Sequence, residues 1–101
     1  MTTHYDDRLQ NDNPQLTIDE IARACAVEPA WIVEHVEEGF IQCEVALVVT
    51  SVDEWRFAGA ELIRAQKLVT FERDFDLNPD VAALIVDLLE EISALKRDRL
   101  N

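Results

Sequence analysis

The stretch Leu16–Ile41, LTIDEIARACAVEPAWIVEHVEEGFI, constrains the fold more than any other, because it encodes two short helices separated by a tight turn. Thr17 followed by Glu20 has the spacing of a capping box, in which the hydroxyl accepts from an N3 amide and the carboxylate reaches back to the cap. Ile18, Ile21, Ala22 and Cys25 then fall at i, i+3, i+4 and i+7, the apolar stripe of one helix. The stripe stops at Ala26-Val27-Glu28, and Pro29 suits the first position of a second helix, where a missing N–H costs nothing. Ile32, Val33, Val36 and Phe40 define the buried side of that helix, with Gly39 as its C-terminal cap. This is the grammar of a helix-turn-helix.

Charge decides what such a pair can do. The chain carries 21 acidic against 9 basic residues, a net charge of −12. Duplex DNA is bound by Lys and Arg that displace counterions from phosphates, so an acidic surface is repelled unless a local basic patch overrides the total. Residues 24–55, from the end of the first helix through the second helix to Trp55, contain no Lys or Arg. They contain seven acids: Glu28, Glu34, Glu37, Glu38, Glu44, Asp53 and Glu54. The usual bidentate partners of guanine are therefore missing, and each unpaired approach of a carboxylate to a phosphate costs on the order of 1 kcal/mol at surface dielectric. Sequence-specific DNA binding through this surface is disfavoured.

At 101 residues the chain is expected to form one domain with an added arm. Two Gly and three Pro favour a mostly helical chain over one rich in turns. Residues 1–15 are polar and aperiodic and read as a flexible tail, so His4 and Tyr5 are not taken as a site. Within Ile41–Phe57, the β-branched run Val45–Val49 and the segment Trp55-Arg56-Phe57 flank a polar turn, which predicts a two-stranded hairpin, or wing. A third helix is expected from about Gly59 to Asp74, burying Leu62, Ile63, Val69 and Phe71 and placing Arg64 and Lys67 on a mixed solvated face. Asn78 as N-cap and Pro79 at the first position restart the chain as a last helix to about Arg99. The domain boundaries so read are a 1–15 tail, a 16–78 helix-turn-helix region with the third helix, and a 79–101 helix.

In the last helix Val81, Ile85, Leu88, Ile92 and Leu95 alternate four and three apart, a heptad seam that Leu84 and Leu89 widen. A stripe this wide suits a helix packed on its own domain along one edge and on a second copy along the other, so a homodimer is preferred over a monomer. In the second helix, with Ile32 and Val36 turned inward, Trp31, Glu34 and Glu38 lie on the opposite side, flanked by Glu37 and His35. A Trp among carboxylates is the pattern of an aromatic anchor with an acidic surround, complementary to a basic, partly apolar helix or loop. The competing reading makes Trp31 the rim of the core. His35 reads as a surface or hydrogen-bonding side chain, since no second metal ligand is spaced for it.

No Gly-rich phosphate loop, metal-ligand spacing or nucleophile–base constellation is present in the sequence, which points away from an enzyme, a cofactor or a metal. Cys25, on the core stripe, reads as a buried small hydrophobe, and two isolated Cys make no disulfide framework. No secretory or membrane-spanning run occurs, so the cytoplasm is the expected location.

The order of a capped first helix, then EPAWIVEHVEEGFI, a hairpin, WRF, a third helix and DFDLNPDVAALIVDLLEEISAL with a basic tail resembles the chaperone-modulator CbpM family. These are small proteins similar to the MerR-type winged-helix domain, and the resemblance spans about Leu16 to Arg99. It implies a mainly α, MerR-like winged helix-turn-helix fold with a small β-hairpin wing and a long C-terminal helix. It also implies a function: binding the J-domain of a DnaJ-like co-chaperone of the CbpA type, and inhibiting it by covering the basic helix beside the His-Pro-Asp loop that engages Hsp70. The positions carried over are Trp31, Glu34, Glu37 and Glu38, with Glu28 and His35 as weaker candidates. A MerR-like transcription regulator using Arg56, Arg64 and Lys67 is the alternative. Ala26 stands in the turn where such motifs often have Gly, and a left-handed backbone there would cost about 1 kcal/mol.

Overall fold

A computed structural model of the chain describes residues 15–44 and 51–100. The described elements are β1 (Gln15–Leu16), α1 (Ile18–Cys25), α2 (Pro29–Glu37), a 3-10 turn (Val52–Glu54), β2 (Phe57–Ala58), α3 (Gly59–Arg73) and α4 (Pro79–Leu100). The fold is mainly helical with a small antiparallel two-stranded sheet. The chain divides into two compact units between Ile63 and Arg64, inside α3.

In the first unit α1 begins with the expected capping box. The Glu20 amide donates to Thr17 Oγ1 at 3.2 Å, and the Thr17 amide donates to Glu20 Oε1 at 2.8 Å. Ile18, Ile21, Ala22 and Cys25 are all buried, so the stripe predicts the packed face correctly. Burial raises the pKa of the Cys25 thiol, which leaves it protonated and inert, as its place on the stripe implies. The helix ends in a left-handed residue, Ala26, at φ 59° and ψ 45°. The Val27 amide donates to Ala22 O and the Ala26 amide to Arg23 O, the two bonds of a Schellman motif. The α1–α2 turn therefore holds Ala in the conformation that favours Gly.

β1 pairs with β2 in the register Gln15↔Ala58 and Leu16↔Phe57, so Gln15 belongs to a strand and not to the tail. The predicted wing strand Val45–Val49 lies outside the described residues. What the structure assigns to Phe57 is pairing with the segment before α1, which sets Leu16 opposite a fully buried aromatic ring. Near the other end, the Glu44 amide donates to Arg56 O at 3.0 Å and Gln15 Nε2 to Glu44 Oε1 at 2.9 Å. Trp55 and Phe57, expected on one strand face, are both buried with their rings edge to face at 6.4 Å.

The second unit holds most of α3 and all of α4. The buried residues of α3 are Ala65, Leu68 and Val69. Of the expected set Leu62, Ile63, Val69 and Phe71, only Val69 is buried, while Leu62 and Phe71 are half-buried and Ile63 is exposed. The reason is angular: Ile63 and Ala65 are two positions apart, about 200° around the helix, and cannot share a face. Arg64 also departs from expectation. Its side chain is 12% exposed, with Nη2 2.8 Å from Asp87 and Nη1 3.0 Å from Glu90. Burial opposes its charge, but the hydrogen bonds and charges of the two carboxylates outweigh that and raise its pKa. α4 starts as predicted, with the Val81 amide donating to Asn78 Oδ1 at 3.0 Å ahead of Pro79. No described helix is long and apolar enough to cross a membrane.

Candidate partner-binding face

The candidate face is carried by α2, whose orientation is fixed from within by Ile32, fully buried, and by the half-buried Val33 and Val36. Glu28 is the N-cap in extended conformation and its carbonyl accepts from the Trp31 amide at 2.9 Å. Its side chain makes no capping bond, so the exposed carboxylate is not consumed in starting the helix. Trp31, Glu34 and Glu38 recur at i, i+3 and i+7 and so share one flank of the helix. Glu34, Glu37 and Glu38 are exposed, and Trp31 is half-buried. None of Glu28, Glu34, Glu37 and Glu38 forms an ion pair among the described residues.

His35 is where the structure departs from a surface placement. It is 4% exposed, the one buried polar side chain among the described residues. Its Nδ1 lies 2.8 Å from Trp31 O, and because a carbonyl oxygen only accepts, Nδ1 carries the hydrogen. The imidazole stacks on the Trp31 ring with centroids 3.6 Å apart and an interplanar angle of 21°. The Phe40 ring also meets it edge-on, with centroids 5.8 Å apart. The hydrogen-bonding alternative read from the sequence is the one realised; the ring is not available as an exposed contact.

Phe40 is thus a part of the site that the sequence reading assigned only to the core. It reaches His35 because α2 ends in a Schellman motif with Gly39 at φ 84°. The Gly39 amide donates to Val36 O and the Phe40 amide to His35 O at 2.8 Å, with the usual hydrophobic contact supplied by the Phe40–His35 pair. The signal was present in the sequence: an aromatic and a His four apart on a helix, followed by Gly-aromatic. The result is a Trp ring stacked on His35, which Phe40 meets in turn, on a helix flank that carries exposed carboxylates.

Two of the basic groups are engaged within the chain. Arg56 Nη1 donates to Asp53 O and Trp55 O, at 3.0 and 2.8 Å, and Arg64 is held by Asp87 and Glu90. No group of three or more His, Cys, Asp or Glu among the described residues is placed to hold a metal ion.

A helix pair of this form with a small sheet and a long final helix defines a class, and a family model described as MerR HTH family regulatory protein matches residues 16–100. The chain is also similar to curated relatives named chaperone modulatory protein CbpM from Coxiella burnetii, among them strains Dugway 5J108-111 and RSA 331 / Henzerling II. Each is 33% identical over 89 residues, covering 88% of this chain and 79% of the relative. The chain belongs to the MerR-type helix-turn-helix family and, within that class, to the CbpM family of chaperone modulatory proteins. No solved structure matches.

Proposed function

We propose that the chain is a non-enzymatic chaperone modulator that binds the J-domain of a DnaJ-like co-chaperone of the CbpA type through the acidic face of α2, and inhibits it by blocking access to Hsp70. The observation that carries this reading is the buttressed Trp31 with Glu34 and Glu38 on the same flank, in a stretch without a single Lys or Arg. An ordered aromatic ring supplies contact area at little further entropic cost, and unpaired carboxylates around it steer and orient a cationic helix. Glu28 and Glu37 extend the acidic border, and His35 acts by positioning Trp31 rather than by touching the partner. The relatives' name supports a role in chaperone regulation. The DNA-binding alternative is weakened by the engagement of Arg56 and Arg64 within the chain itself.

The test is titration calorimetry against an isolated J-domain at low salt. Glu34→Lys with Glu38→Lys is expected to weaken binding at least several-fold while leaving the helical circular-dichroism spectrum unchanged, because both side chains are exposed. Unaltered affinity would remove the acidic face from the interface. Retention on heparin without retention on an immobilised J-domain would favour the transcription-regulator reading instead.

A further inference from the structure

The chain passes from α3 to α4 through a corner, Asp74–Asn78, that lies wholly within the second unit. Leu77 is half-buried there, and its amide donates back to Phe71 O at 3.2 Å. Asp76, just before it, is left-handed at φ 56°, a backbone that short polar side chains tolerate better than most. The corner thus takes Leu77 inward and leaves Phe75 outside, 61% exposed. The ring that Phe75 meets is that of the half-buried Phe71, with centroids 5.4 Å apart. The exposed Val81, Leu88, Ile92 and Leu95 and the half-buried Ile85 are the seam positions expected of α4, and Phe75 lies ahead of that helix.

The corner is one-sided in charge. Asp74 and Asp76 flank Phe75 in the chain, Asp80 stands in the first turn of α4, and all three are exposed. None of the three forms an ion pair among the described residues. From Leu68 to Leu95 the sequence has seven acids and one basic residue, Arg73, which is itself engaged. An exposed ring alone would accept any apolar side chain, and carboxylates alone would accept any cation. Together they select a group that is flat, weakly hydrated and positive. A guanidinium meets all three conditions: it stacks on an aromatic face, and its N–H groups match carboxylate oxygens. An ammonium is a compact, strongly hydrated charge and meets only the last.

We infer that the α3–α4 corner is a docking surface for an arginine-bearing segment of another protein. A guanidinium lies on the Phe75 ring and donates to the carboxylates of Asp74, Asp76 or Asp80. The surface uses none of the residues of the α2 face, so its failure would leave the co-chaperone reading standing.

The test is a heteronuclear NMR titration of the full chain with two short capped peptides, one carrying two arginines about a leucine and the other lysines in their place. The arginine peptide should shift the amides from Asp74 to Leu77 and bind there about threefold more tightly than the lysine peptide. Phe75→Leu keeps an apolar side chain but removes the ring, and should abolish that preference. Phe75→Tyr keeps the ring and should retain it. Asp74→Asn with Asp76→Asn should weaken both peptides about threefold. These side chains are exposed, so the rest of the spectrum should stay as in wild type. Equal affinity for the two peptides, an arginine preference that survives Phe75→Leu, or shifts confined to α2 would overturn the inference. So would shifts at the corner on concentrating the wild-type chain without peptide, because a second copy would then be its occupant.

Discussion

In α1 and α2 the bulky aliphatic side chains Ile18, Ile21 and Ile32 are buried and the exposed positions are dominated by charge. In α4 two alanines and a valine are buried, and leucines take the outer positions. Fully burying a side chain such as Ile or Leu contributes roughly 1.5–3 kcal/mol. The helix pair realises that gain within one chain, and its outer side is left as an acidic surface suited to a charged partner. Much of the corresponding gain in α4 is not realised within the chain and becomes available only when an apolar surface covers it. The two regions thus present surfaces of different chemistry, one acidic with an aromatic ring on it and one apolar.

The sharpest test of that difference is a matched pair of truncations. Ile32→Ala should destabilise the fold by about 2–5 kcal/mol, since the side chain is fully buried and its removal leaves a cavity. Leu84→Ala removes an exposed side chain and should change stability by no more than about 0.5 kcal/mol at concentrations where the chain is monomeric. Urea unfolding followed by circular dichroism reads both. A large loss from Leu84→Ala in the monomer would mean that the outer side of α4 is covered within a single chain, and the contrast between the two regions would disappear.

The same contrast explains what could be read in advance. Element ends were legible because they depend on local chemistry: the Thr17–Glu20 box, Pro29, the Asn78 cap and the Gly39 stop all act within a few residues of themselves. The stripe of α1 was legible because its large apolar residues are also its buried ones. In α3 that equivalence fails, since Ala65 is buried and Ile63 exposed, and hydrophobic size alone points to the wrong side. The burial of His35 escaped for a related reason. A polar ring is expected outside until a local carbonyl and two aromatic neighbours satisfy it, and those depend on a turn four residues on. The pairing of β2 with β1 joins residues more than forty positions apart, and nothing in either two-residue strand announces the other. The exposure of Glu34, Glu37 and Glu38 followed from helical spacing once Ile32 was turned inward.

Caps give a smaller effect that again separates the regions. Thr17→Ala removes the hydroxyl half of a reciprocal box on an eight-residue helix, and should cost about 1 kcal/mol, within the usual 0.5–2 kcal/mol for such caps. Asn78→Ala removes a single bond from the start of a 22-residue helix. Its effect should be no larger, because the remaining turns of α4 do not depend on that bond. Thermal unfolding of the two variants beside wild type makes the comparison. A greater loss at Asn78 than at Thr17 would indicate that the stability of the long helix rests on its first turn.

The finest comparison lies inside the helix pair, where two Schellman motifs of the same form end α1 and α2, one on Ala26 and the other on Gly39. Both residues are left-handed, at φ 59° and φ 84°, and only the second is the residue that adopts this backbone without steric penalty. A Cβ built on Gly39 would meet nothing within 4 Å, so Gly39→Ala introduces backbone strain and no clash. It should cost about 1 kcal/mol. The reciprocal change, Ala26→Gly, should stabilise the chain by about 0.5–1 kcal/mol, the relief of strain being partly offset by the greater freedom of Gly in the unfolded chain. For a domain of this size that is a rise of a few degrees in Tm, measurable by calorimetry. A loss of stability on Ala26→Gly would show that the Ala26 methyl contributes packing worth more than the strain it imposes. The tight turn between the helices would then be held by side-chain contact, and not by the hydrogen bonds that Val27 and Ala26 make back to Ala22 and Arg23.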